Sequence, residues 1–195
     1  LSIDTNEIAA LAYRGQAYND KKLYDLALAD LRRYFAKNKK NDFIGLAQLA
    51  KAERGSKQYT SAIKHYKICF DHEPTSFIAN EIAWTHFLTR NYKDGLIYAN
   101  KSIQLDDKND NAYDTRGCIR YKLNIYDLAV MDFNTSITID SSNSNSLYFR
   151  ALCFIKLKEH EKACQDLKVL LQDPDYHVID EEKPVLLLIQ ENCGK

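Results

Sequence analysis

The sequence predicts an all-α chain built as a row of stacked helix-turn-helix hairpins. Three observations predict it. Proline and glycine are scarce, at 3 and 6 of 195 residues, which disfavours a turn-rich β-sandwich or barrel and suits long helices. Hydrophobic residues make up 45% of the chain, enough to bury a core, and they recur at helical spacing. Five pairs of small residues stand twelve positions apart: Gly15 and Ala27, Ala50 and Ala62, Ala83 and Gly95, Gly117 and Ala129, Ala151 and Ala163. Their second members follow one another at 35, 33, 34 and 34 residues, a period that marks repeat architectures.

Each pair is the crossing of two helices, which approach closely only where side chains are small. In the first unit, about residues 8–41, Leu11, Tyr18, Tyr24 and Leu31 fill the space beside the crossing, and Asn19, Asp20 and Lys21 supply the turn. The second unit, about 43–76, turns at Gly55-Ser56 and is stopped by Pro74. The third, about 76–109, turns at Asn91 and reads as one residue short. The fourth, about 110–143, turns at Asn124. In the fifth, about 144–177, Leu147, Phe154 and Leu167 pack beside the crossing and Pro174 ends the second helix. Residues 178–195 read as a capping helix, with Asp180 as N-cap, Glu181 and Glu182 at the positive end of the helix dipole, Pro184 in the first turn and Gly194 as the stop. The run Val185 to Ile189 is more apolar than a solvated cap needs. Part of it is expected to cover the last repeat and the rest to meet a partner or a second copy.

These units resemble tetratricopeptide repeats, whose motif runs W-x2-L-G-x2-Y, then A-x3-F, then P. The first gives Leu11-x2-Arg14-Gly15-x2-Tyr18 with Ala27-x3-Leu31, the second Leu46-x2-Leu49-Ala50 with Ala62-x3-Tyr66 and Pro74. The fourth gives Tyr113-x2-Arg116-Gly117 with Ala129-x3-Phe133, and the fifth Leu147-x2-Arg150-Ala151-x2-Phe154 with Ala163-x3-Leu167. The third fits least, with Ala99 in place of the aromatic. The resemblance implies one domain over 1–195, wound as a right-handed superhelix whose first helices line a concave groove. It also implies a scaffold or adaptor that holds a peptide or protein segment there. The groove residues implied by phase are Tyr13, Gln16, Gln48, Lys51, Asn80, Glu81, Trp84, Asp114, Tyr121 and Tyr148: rings to hold anchor side chains, amides to meet a backbone. Two readings of Trp84 stand side by side, as a ligand anchor at the groove's centre or as packing between repeats. The Lys/Asn/Arg clamp with which some family members hold a chaperone's C-terminal carboxylate matches no window of three units here.

Composition narrows the function classes. A formal net charge of zero lacks the basic footprint of a general nucleic-acid binder, and the 13 tyrosines fall largely at packing sites rather than forming stacking platforms. The charge is uneven along the chain. Residues 1–72 carry 13 Lys and Arg against 8 Asp and Glu; residues 73–195 carry 14 against 19. This reads as unevenly solvated faces first, and as a means of orienting a partner second. No run is apolar enough to span a membrane. Five cysteines without a CxxC pair point to buried thiols and a reducing, cytoplasmic setting, with Cys153 and Cys164 the one pair expected on facing helices. His65-x3-Cys69-x2-His72 has metal-like spacing but no fourth ligand. No phosphate-binding glycine loop, G-x-S-x-G or H-E-x-x-H occurs, so no enzyme, cofactor or metal is expected. Two alternatives to the scaffold remain: a structural module that self-associates through its C-terminal helix, and a regulatory domain of a larger protein, in keeping with a first residue that is Leu1.

Overall fold

Within every hairpin of the repeat region two helices are joined by a three-residue turn. In the computed structural model, which describes residues 5–38, 41–172, 176, 178 and 183–193, the first hairpin pairs α1 (Thr5–Asp20) with α2 (Tyr24–Lys37) and the second α3 (Phe43–Gly55) with α4 (Tyr59–His72). The third pairs α5 (Ser76–Leu88) with α6 (Tyr92–Leu105), the fourth α7 (Asp110–Lys122) with α8 (Tyr126–Ile139), and the fifth α9 (Ser144–Lys156) with α10 (His160–Gln172). A shorter helix, α11 (Val185–Asn192), packs on α10. The hairpins stack in chain order into a right-handed α-α solenoid.

The small pairs sit at the crossings. Ala27, Ala50, Ala62, Ala83, Ala129, Ala151 and Ala163 are all fully buried. At Gly117 an added Cβ would lie 2.6 Å from the Phe133 ring, and at Gly95 one would lie 3.4 Å from the Ala83 carbonyl oxygen across the crossing. Room rather than backbone conformation is what glycine supplies at Gly117, while at Gly95 the tightest contact would be 2.9 Å to the end of the Ile119 side chain. Large residues close the core around these contacts, with Tyr66, Phe133, Phe149, Leu31, Ile119 and Leu167 almost wholly buried.

The turns differ from expectation in both place and chemistry. Each occupies the three residues after the first helix, and the third hairpin's, residues 89–91, is as long as the others. The left-handed residue is Lys22, Lys57, Arg90, Asn124 or Lys158, with φ between 58° and 64°. Each turn closes by the same two bonds, such as Gln58 N donating to the Glu53 carbonyl and Lys57 N to that of Arg54, which is a Schellman motif without its usual glycine. The next first helix begins on a side-chain cap. Asp42, Thr75, Asn109 and Asn143 accept from the amides of Gly45, Ile78, Ala112 and Ser146.

A second periodic feature links the two helices of each unit. Arg14 pairs with Asp30, Arg116 with Asp132 and Arg150 with Asp166, always sixteen residues apart. In the second unit the acid sits on the first helix instead, and buried Glu53 meets the Nδ1 of His65 at 2.7 Å. In the third the ions disappear, and buried His86 stacks on Tyr98 with ring centroids 6.1 Å apart. Burial lowers the His86 pKa, which keeps the ring neutral and suited to that apolar place.

The capping segment departs from its expected form. Asp180, Glu181, Glu182 and Gly194 lie outside the described residues, as does Pro174. Pro184 precedes the helix rather than sitting inside its first turn, with ψ at 135°. Cysteine pairing is also corrected. Cys164 and Cys193 form a disulfide, so Cys164 bonds to the cap and not to Cys153, which stays a buried thiol with Cys69 and Cys118.

Candidate functional site

Neighbouring first helices touch one another, α1 with α3, α5 with α7 and α7 with α9, which places them on the inner side of the curve. That concave surface has two halves of different character.

The N-terminal half is open. Between α1, α2 and α3 lies a cavity of about 660 Å³ lined by Ile8, Ala12, Tyr13, Gln16, Tyr34, Asn38, Asn41, Asp42, Ile44 and Gln48, among others. Tyr13 is 74% exposed and Ile44 80% exposed. One unit on, in the phase of Ile44, Phe77 is 60% exposed. The wall behind them is fixed by hydrogen bonds. The Tyr34 hydroxyl donates to Asp42 at 2.7 Å and accepts from Asn38 at 2.6 Å. Burial, followed by the bond to Asp42, pushes this phenol up to about 12, so it remains a donor near neutrality. Buried Asn19 donates to both the backbone and side-chain oxygens of Gln48, locking α1 to α3.

The C-terminal half is filled. Trp84 stacks on Phe87 at 4.6 Å, and Tyr121 meets Phe149 edge-on at 5.4 Å. All four rings are buried. Tyr148 is fully buried, its hydroxyl donating to the Lys183 carbonyl and accepting from the Lys183 amide. Asp114 is buried between α7 and α9 and accepts from Ser146 and Asn145, both at 2.7 Å. Burial drives its carboxyl up to about 6.

Of the ten residues singled out by phase, the structure brings Tyr13, Gln16 and Gln48 together at the open cavity. Lys51 and Asn80 are half-buried on the next helices, and Lys51 pairs with Asp20 at 3.1 Å. Glu81 is engaged by Arg54 and by the Tyr66 hydroxyl, both at 2.7 Å. Trp84, Asp114, Tyr121 and Tyr148 are in the core, contrary to the expectation that they face a ligand. The reason is steric: bulky aromatic residues on α5, α7 and α9 fill the space that small or polar ones leave open on α1 and α3. Ile44 and Phe77 were missed. Both stand second in their first helix, one unit apart, and that recurring place is the signal that could have found them.

His65, Cys69 and His72 do not converge on a shared point. His65 meets Glu53, the Cys69 thiol donates to the Phe43 carbonyl, and His72 stacks on the Phe43 ring at 3.6 Å. Among the described residues, no helix is long and apolar enough to cross a membrane.

No family model matches the chain. It is 30% identical over 115 residues to the human mitochondrial import receptor subunit TOM70, over 56% of this chain and 18% of that protein. It is 31% identical over 86 residues to human sperm-associated antigen 1, over 44% of this chain and 9% of that one. The chain therefore spans less than a fifth of the length of the curated relatives it matches. In fold it is similar to MamA from Desulfovibrio magneticus RS-1, with a TM-score of 0.71 at 14% identity over 85% of this chain and 94% of that one. A second crystal structure of MamA gives 0.68 at 14% identity, over 90% and 100%. A period of about 34 residues, carried by hairpins that stack as they do in MamA, gives the chain an α-α solenoid fold similar to that of tetratricopeptide-repeat proteins.

Proposed function

We propose that the chain is a protein-interaction scaffold that holds an extended segment of a partner protein in its concave groove, seated at the N-terminal end. The observation that carries this reading is the open cavity between α1 and α3, where strongly exposed Tyr13 and Ile44 stand beside the amides of Gln16, Asn38 and Asn41. Apolar side chains held in water by rigid helices are poised to take a partner's anchor residues, and the amides can meet its backbone. Phe77, Asn80 and Lys51 continue the path along the groove. Likeness to an import receptor subunit supports an interaction role, and the balanced charge favours a protein over a nucleic-acid partner. In this reading residues 8–177 are the five repeats of one domain. Three buried thiols support a cytoplasmic setting, and the Cys164–Cys193 bond weighs against it.

The test is selection from a phage-displayed library of random peptides, followed by affinity measurement on variants. Tyr13→Ala and Ile44→Ser each weaken a selected peptide about tenfold or more, while Met131→Ser, an exposed change on α8, leaves affinity within about twofold. Equal affinities in all three would remove the groove as the site. A second reading, self-association through α11, is favoured by Leu186 and Leu187, which are 59% and 43% exposed. Light scattering across concentration decides it, because a chain that stays monomeric at high micromolar concentration excludes it.

A further inference from the structure

The cysteines fall into two chemical classes. Cys69, Cys118 and Cys153 are buried free thiols, and burial pushes Cys69 up to about 11, Cys153 up to about 12 and Cys118 well above its ordinary value. A thiol that neither ionises nor meets solvent is inert. The other two are placed differently. Cys164 on α10 is bonded to Cys193, the residue after α11. Both line a solvent-open cavity of about 340 Å³, together with His160, Gln165, Lys168 and Asn192. Cys164 is 8% exposed and Cys193 half-buried, so this cavity is the route by which a dithiol would approach the bond.

What the bond holds is slight by itself. The eight residues of α11 are too few for a helix to persist alone in water. Val185 and Leu188 are its buried residues, and they join the cluster that contains Leu167, Leu170 and Tyr148. Its outer face carries exposed Leu186 and Leu187. Among the described residues the cap is held by buried Val185 and Leu188 with Ile189 packed beside them, by Tyr148 gripping Lys183, and by one covalent link.

We infer that Cys164–Cys193 is a reversible dithiol–disulfide site that latches α11 over the last repeat, and that a dithiol reductant is the class of reagent that opens it. A thiolate of the reductant attacks one sulfur and forms a mixed disulfide as the Cys164–Cys193 bond breaks. Its second thiol then displaces that cysteine and leaves as a cyclic disulfide. The two electrons and two protons end on Cys164 and Cys193 as thiols. Opening frees α11 and uncovers the apolar end of the solenoid around Leu167 and Leu170. This site is separate from the groove and stands whether or not the groove binds a peptide.

Native-state alkylation and amide exchange of the full chain, before and after treatment with dithiothreitol, test the inference. Before reduction no cysteine takes up iodoacetamide. After it, Cys164 and Cys193 are carbamidomethylated while Cys69, Cys118 and Cys153 are not. Amides of α11 then exchange roughly 100-fold faster, with α1 to α8 unchanged. Cys193→Ser shows the fast exchange without reductant and does not respond to it. The inference is overturned if α11 keeps its protection after reduction. It is overturned equally if the bond yields only when the whole chain unfolds, which would make it a plain staple.

Discussion

Asp114 is a carboxyl group held between two helices, and among the described residues no cation pairs with it. Ser146 and Asn145 supply hydrogen bonds, but burial outweighs them and the carboxyl rises to about 6. A raised carboxyl pKa means the folded chain binds this proton more tightly than the unfolded one does. The group's contribution to stability is therefore fully present below about pH 4 and lost as pH rises through 6, a cost on the order of 2–3 kcal/mol at neutrality. Asp114→Asn removes the charge and keeps a partner for each neighbour, since its amide can donate to Ser146 while Ser146 turns to Ser136, 2.9 Å away. The variant should melt several degrees above the parent at pH 7.5, and the gap should close by pH 4, as followed by circular dichroism. Asp114 was legible as a helix residue in groove phase. Its burial was not, because burial depends on how closely α9 approaches, which no local pattern states.

Among the elements, the turns show where sequence reasoning reached its limit. Asn91 and Asn124 announced their turns, but Lys57, Arg90 and Lys158 gave no such notice while holding the same left-handed conformation. Their φ values are imposed by the stacking of the hairpins, which outweighs the local preference of a side-chain-bearing residue. Lys57→Gly relieves that strain at the cost of a more flexible unfolded chain, so a net gain of about 0.5–1 kcal/mol is expected in urea unfolding. A loss would mean that the Lys57 side chain contributes contacts beyond its backbone. The crossings, in contrast, were readable throughout, because two helices can approach only over small residues. The same logic made Cys164 look like one face of a hairpin, when its bond runs to a cap 29 residues away.

At the scale of the whole chain, stability passes from neighbour to neighbour. Each hairpin contacts the next, so damage in one unit spreads to those beside it. Ala129 is fully buried at the fourth crossing, and Ala129→Leu should cost roughly 1–3 kcal/mol by overpacking it against Gly117. Amide exchange should then speed up in units three and five as well as four, and an effect confined to α7 and α8 would argue for independent units. The groove follows from the same stacking. Aromatic residues close it from Trp84 in unit three through unit five, and it stays open over units one and two and at the start of unit three, where Tyr13, Ile44 and Phe77 meet water. The repeat pattern placed the groove on the first helices, yet it could not say which half was filled, since the same phase holds Gln16 in one unit and Trp84 in another. The most direct test carries a photoreactive phenylalanine on a library-selected peptide and maps its cross-links on the chain. Cross-links should fall on α1 and α3, at Tyr13, Gln16, Ile44 and Gln48, whereas cross-links confined to α2, α4, α6 and α8 would contradict a binding groove.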